Sequence, residues 1–169
     1  MDNKTDLRIK AKNIRKTLDI EIISKVLCKK IRHSDIYKNA ENVLIFYPLP
    51  NEINLLELLS DDKNFFLPRI NGENLEICPY KKCDTLKESS FKTKEPQTKA
   101  ENVNILDLII LPALAADKNN YRLGCGKGYY DRLLSVTKAK TILPISKELV
   151  FENLPVESHD KQVDIVITD

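Results

Sequence analysis

The chain has 169 residues, 42% hydrophobic and 31% charged, a composition ordinary for a soluble protein and sufficient for one domain with a sizeable core. Its 27 basic and 25 acidic residues leave a net charge of +2, which predicts no broad basic face and argues against nucleic acid as a partner. A small anionic ligand, held by a few well-placed cations, fits that balance better.

Residues 4–18 predict an amphipathic helix, with Leu7, Ala11, Ile14 and Leu18 on one face and Lys and Arg on the other. Met1-Asp2-Asn3-Lys4 leads straight into it with no apolar leader, so a cytoplasmic protein is expected. A second helix is predicted over 21–32, carrying Ile22, Ile23, Val26, Leu27 and Ile31. Val43-Leu44-Ile45-Phe46-Tyr47 reads as a buried strand ending at Pro48. A loop follows, and Asn54 is placed to cap a helical stretch through Leu55, Leu56, Leu58 and Leu59. Asn64-Phe65-Phe66-Leu67-Pro68 and Leu75-Glu76-Ile77-Cys78 are strand candidates, joined by the turn Asn71-Gly72-Glu73-Asn74. Residues 81–104 are polar and predict mostly loop, with at most one helical turn.

Leu106-Asp107-Leu108-Ile109-Ile110-Leu111 is the strongest buried strand. The apolar stretch 108–116 that overlaps it is too short to cross a bilayer, and Pro112 interrupts it. Beyond it come a helix over 129–136, a strand at Thr141-Ile142-Leu143, a short helix over 148–152 and a final strand, Val163-Asp164-Ile165-Val166-Ile167. Alternating strands and helices predict a single α/β domain over residues 1–169 with a largely parallel sheet. Ligands of such folds bind beyond the carboxyl ends of strands, which points to the loops 48–52 and 112–128. The four cysteines form no C-x-x-C pair and only two His are present, so zinc is not expected and the thiols should be free.

The chain has four glycines, and three of them fall within Gly124-Cys125-Gly126-Lys127-Gly128. Lacking Cβ atoms, these positions let the backbone approach a ligand and adopt positive φ. A helix is predicted to begin at once after them, and N–H groups at such a start favour anions. Arg122 and Lys127 add full positive charges, and Asp131 is placed one turn in, where a carboxylate suits magnesium. Neither the P-loop pattern nor the dinucleotide fingerprint is present. A glycine-rich turn with merely solvated charges is the plainer reading of such a segment taken alone.

Arg122-Leu123-Gly124-Cys125-Gly126-Lys127-Gly128-Tyr129-Tyr130-Asp131 resembles the signature of the 5-formyltetrahydrofolate cyclo-ligases, and Leu111 to Asp117 resembles the approach to it. The likeness continues in chain order through Lys4 with Leu7-Arg8, Phe46 to Ile53, and Phe66-Leu67-Pro68-Arg69. It closes with Leu154-Pro155-Val156-Glu157-Ser158-His159-Asp160 and Val163-Asp164. The resemblance implies a three-layer α/β sandwich similar to the sugar-phosphate isomerase and CoA-transferase architecture. It implies an enzyme using ATP and Mg2+ to close 5-formyltetrahydrofolate into 5,10-methenyltetrahydrofolate, with no obligate protein partner; the length of the folate glutamate tail stays open.

By the same resemblance, Lys4, Thr5, Asp6, Leu7 and Arg8 contact ATP. Arg122, Gly124, Cys125, Gly126, Lys127, Gly128 and Tyr129 form its phosphate cradle. Lys127 and Arg122 are the catalytic cations, and Asp131 and Asp160 the metal ligands. Tyr47, Glu52 and Tyr130 bind the folate together with residues 125–129. His159 is expected to be structural, and Arg69 either meets the folate glutamate or pairs with a surface acid. Cys125, Ala113 and Ala116 depart from the family pattern, and so does Leu143-Pro144-Ile145-Ser146. A phosphosugar isomerase-like enzyme would also use a glycine-rich loop, and a folate or nucleotide binder without turnover would share the fold.

Overall fold

Asn3 starts the first element: its side chain accepts the backbone N–H groups of Thr5 and Asp6, and helix α1 runs over Lys4–Arg15. The structure, a computed structural model, describes residues 3–169; Met1-Asp2, part of the leaderless start inferred above, lies outside the described residues. Asp19 caps helix α2 (Ile20–His33) through the N–H of Ile22, and a short helix α3 (Asp35–Lys38) follows. The buried face of α2 carries Ile23, Leu27 and Ile31, four residues apart.

Strand β1 (Asn42–Leu44) is followed by a 3-10 turn at Leu56–Ser60, whose first N–H groups include that of Leu56 bonded to the Asn54 side chain. Strands β2 (Asn64–Asn71) and β3 (Asn74–Pro79) form a hairpin around Gly72 (φ +61°) and Glu73. Next come β4 (Leu86–Glu88), β5 (Lys94–Pro96), β6 (Leu108–Ile110), β7 (Ala115–Asp117), β8 (Arg122–Leu123) and helix α4 (Tyr129–Ser135). Strands β9 (Lys140–Ile145), β10 (Val150–Phe151) and β11 (Ile165–Thr168) complete the chain.

The main sheet has the order β11-β9-β6-β1-β2-β3, parallel throughout except for the antiparallel edge strand β3. Its central strands are apolar on both faces because both faces are covered. Val43, Leu108 and Ile110 point into one cluster with Ile23, Leu27 and Ile31 of α2. Leu44 and Ile109 point into another with Leu7 and Ala11 of α1 and Leu133 of α4. The result is the expected layered α/β fold, with each fully buried Leu or Ile contributing about 1.5–3 kcal/mol. Cys28 and Cys78 are buried free thiols and Cys83 and Cys125 exposed ones. Burial pushes the Cys28 thiol up to about 11, which leaves it inert. No helix among the described residues is long and apolar enough to cross a membrane.

Two local expectations are corrected, and a second sheet is added. Residues 81–104 hold an antiparallel β4–β5 hairpin besides a 3-10 turn at Val103–Ile105. Leu86-Lys87-Glu88 and Lys94-Glu95-Pro96 show no apolar alternation; tertiary bonds hold them instead. The Ile70 N–H donates to Glu95 Oε1 at 3.0 Å, and Arg69 Nη1 donates to the carbonyls of Pro96 and Thr98 at 3.2 and 2.8 Å. The helix expected over 148–152 is a 3-10 turn, Lys147–Leu149, that runs into β10. A small second sheet, β10-β7-β8, pairs segments too short to show a period, with β7 parallel to β10 and antiparallel to β8.

Candidate active site

A cavity of about 450 Å³ opens beyond the carboxyl ends of β1 and β6, where Phe46-Tyr47 and Pro112-Ala113 leave the sheet. Helix α1 contributes Lys4 and Arg8, four residues apart on one face. The glycine loop between β8 and α4 forms another wall, and Pro68, Ile70, Leu75 and Phe91 add an apolar one.

The glycine loop is shaped by close approach and by positive φ. Gly126 has φ +98°, and a Cβ there would sit 3.3 Å from the Arg8 guanidinium carbon. Gly128 has φ +69°, and a Cβ there would lie 2.7 Å from Arg132 Nη1. Arg8 Nε donates to the Gly124 carbonyl at 3.0 Å, tying the loop to α1. The Lys127 ammonium sits 3.3 Å from the centroid of the Phe91 ring, a cation–π contact that brings the β4–β5 hairpin onto the loop.

Arg122 has a side chain only 5% exposed and pairs with Asp131 at 2.6 Å. Its Nε is buried without a hydrogen-bond partner, an unsatisfied donor beside the cavity wall. The guanidinium also lies 5.8 Å from the Tyr130 ring centroid. Burial raises the Tyr130 hydroxyl well above its usual value, with Arg122 only partly opposing, so it remains a neutral donor.

Lys4 Nζ lies 2.7 Å from both Glu157 Oε2 and Asp160 Oδ2. Burial disfavours the Asp160 carboxylate, but hydrogen bonds from Lys4 and from the Glu157 N–H outweigh it and leave its pKa lowered. Burial likewise works against the Lys4 ammonium, and the bonds to Asp160 and Glu157 reverse the balance, leaving it raised. Glu157, His159 and Asp160 bring their ligand atoms within 4.8 Å of one another. On the 48–52 loop, Glu52 Oε2 accepts the Leu49 N–H at 2.9 Å, and Glu52 Oε1 lies 3.8 Å from Arg15 Nη1.

The sequence profile of the 5-formyltetrahydrofolate cyclo-ligase family matches residues 2–169. The chain belongs to that family. The mouse 5-formyltetrahydrofolate cyclo-ligase is 29% identical over 164 residues, covering 85% of this chain and 81% of the mouse one. The Haemophilus influenzae cyclo-ligase is 30% identical over 136 residues, 73% of each chain. The NMR structure of Aquifex aeolicus 5,10-methenyltetrahydrofolate synthetase superposes with a TM-score of 0.86 at 30% identity, covering 98% of this chain and 89% of that one.

Within the cyclo-ligase fold, Lys4, Arg8, Tyr47, Glu52, Arg122, the 124–130 loop, Asp131 and Asp160 all line the one cavity. Thr5, Asp6 and Leu7 do not: the helix turns them away from it, and Leu7 is buried in the core. Arg69 does not reach the cavity either; its guanidinium pairs with Glu76 at 2.9 Å and holds the β4–β5 hairpin. Asp131 and Asp160 are each engaged by a cation of the chain, Arg122 and Lys4 respectively. Sequence reasoning did not single out Phe91, Glu157 or Arg15. Phe91 stands in a polar stretch without a period, and only the hairpin carries it to Lys127.

Proposed function

We propose that this cyclo-ligase uses ATP and magnesium to close 5-formyltetrahydrofolate into 5,10-methenyltetrahydrofolate, releasing ADP and phosphate. The observation that carries the reading is one cavity lined by Lys4, Arg8, Arg122 and Lys127 together with Tyr47, Glu52, Tyr130 and apolar walls. Clustered cations suit a polyphosphate, and aromatic and apolar walls beside the Glu52 carboxylate suit a flat heterocycle bearing N–H groups. All 169 residues are taken as one catalytic domain.

The chemistry is a phosphoryl transfer followed by ring closure. The formyl oxygen on N5 takes the γ-phosphoryl group as the bond to ADP breaks. N10 attacks the activated carbon, its proton leaves, and the carbon–oxygen bond breaks to release phosphate. Lys127 and Arg122 offset the charge on the transferring group. The loop backbone at Gly124, Gly126 and Gly128 admits the phosphates closely, and Arg8 and Lys4 engage the rest of the nucleotide. Glu52 is held by Leu49 and Arg15 to receive the pterin N–H edge. Tyr47 and Tyr130 pack the folate.

The acids fit a hard divalent cation. Glu157 and Asp160 offer carboxylate oxygens beside His159, and the Lys4 ammonium lies between the two carboxylates where positive charge is favoured. Asp160 and Asp131 are assigned as the magnesium ligands; the bound ion supplies charge neutralisation of the phosphates.

The test is near-ultraviolet absorbance of the methenyl product from purified protein, 5-formyltetrahydrofolate and Mg-ATP. Omission of ATP and chelation of magnesium should each abolish the signal, and Lys127→Ala should cut its rate by about 10²- to 10³-fold. Silence from folded wild-type protein beside a working control enzyme would sink the reading.

A further inference from the structure

Arg132 lies outside the cavity yet touches the backbone that shapes it. Its Nε donates to the Glu73 carbonyl at 2.7 Å, and its Nη2 donates to the Lys127 carbonyl at 3.0 Å. The guanidinium stacks 5.2 Å from the Tyr129 ring centroid, and the Tyr129 hydroxyl donates to the Gly72 carbonyl at 3.4 Å. The exit of the glycine loop is thereby fastened to the turn of the β2–β3 hairpin. Gly128 fits this arrangement, since a side chain there would run into Arg132 Nη1.

The loop has a physical need for such a fastening. Its three glycines leave the backbone more conformational freedom than any other residue type would, so its shape has to come from tertiary contacts. At the entry, Arg8 holds the Gly124 carbonyl. At the exit, Arg132 holds the Lys127 carbonyl. In a planar trans peptide the C=O and the following N–H point in opposite directions. With the Lys127 oxygen on Arg132, the Gly128 N–H is turned away from the guanidinium. Released, that peptide is free to turn its oxygen toward the cavity, where it would repel phosphate, and the Lys127 stem would lose its fixed base.

We infer that Arg132 is a positioning residue for Lys127: by bridging the Lys127 and Glu73 carbonyls it locks the phosphate loop against the β2–β3 turn. Its importance for turnover rests on the cyclo-ligase reading of Lys127; the clamp itself does not. Arg suits the task because its rigid fork serves two carbonyls at once, while Lys presents one flexible point of donors.

The experiment compares wild type, Arg132→Ala and Arg132→Lys by amide hydrogen exchange over 124–129, melting temperature, and kcat and KM for each substrate. Arg132→Ala should speed exchange in 124–129 and lower kcat on the order of 10- to 100-fold, the scale of a displaced catalytic group, with the folate KM unchanged. Arg132→Lys, able to serve only one of the two carbonyls at a time, should fall between Arg132→Ala and wild type in both exchange and kcat. Exchange in 124–129 that is unchanged in Arg132→Ala, or a kcat that falls only in step with melting temperature in both variants, overturns the clamp. A wild type without turnover counts against the cyclo-ligase reading alone, because the exchange rates still decide the clamp.

Discussion

Two walls of the cavity are built differently. The glycine-loop wall comes almost entirely from ten consecutive residues, Arg122 to Asp131, with cations and backbone amides set by one turn and one helix start. The aromatic wall is gathered from separate segments: Tyr47 and Glu52 after β1, Pro68 and Ile70 on β2, and Phe91 on the β4–β5 hairpin. A wall made from contiguous chain can be rebuilt locally and depends on backbone geometry. A wall made from distant segments depends on the packing of the whole sheet. Substitutions among the cations and glycines of the first should therefore strike chemistry and nucleotide, and substitutions in the second should strike folate affinity.

Lys127→Ala gives the largest expected effect. Removal of a cation from a developing charge should cost about 10²- to 10³-fold in kcat, with melting temperature near wild type because the side chain anchors no core. A kcat within a few-fold of wild type would show that the glycine-loop wall does not carry the chemistry. Gly126→Ala comes next. It forces a side chain at φ +98° against the Arg8 guanidinium and should cost about 1–3 kcal/mol in stability and weaken nucleotide binding, read by melting and calorimetry.

Glu52→Gln sharpens the contrast from the other wall. The amide oxygen can still accept the Leu49 N–H, so the loop should hold while the charge toward the pterin is lost. The folate KM should rise about tenfold, in line with the loss of a charged hydrogen bond, and nucleotide affinity should stay unchanged. An equal loss of ATP affinity would break the division between the walls.

The smallest effect concerns pH. The Asp160 pKa is lowered in the fold, so its pairing with Lys4 stabilises above the ordinary carboxylate value and is lost as pH falls through the depressed folded value. The raised Lys4 contributes from below its usual value and loses that contribution only as pH rises through a still higher one. The link is thus complete across neutral pH. In Lys4→Met, the Asp160 carboxyl, followed by carbon NMR, should titrate at higher pH than in wild type; an unmoved titration would deny the contact.

The amino-acid sequence by itself determined both main helices, the strands of the parallel sheet and their double-sided burial. Periodicity and continuous apolar runs are local and carry that information directly. It also exposed the glycine-loop wall, because three of four glycines, two cations and an acid stand within ten residues. Lys4 and Arg8 were legible as a cationic pair on one helix face, whereas Thr5 to Leu7, grouped with them by chain position, turn elsewhere because a helix separates neighbours around its axis. Tertiary structure alone decided the rest. The β4–β5 hairpin exists because Arg69 and Glu95 hold it, and it alone brings Phe91 onto Lys127. The Lys4 bonds to Glu157 and Asp160 span more than 150 residues, and Arg132 meets Glu73 across 59. Contacts of that range leave no local period, since each depends on where the packed sheet delivers two segments that the chain keeps far apart.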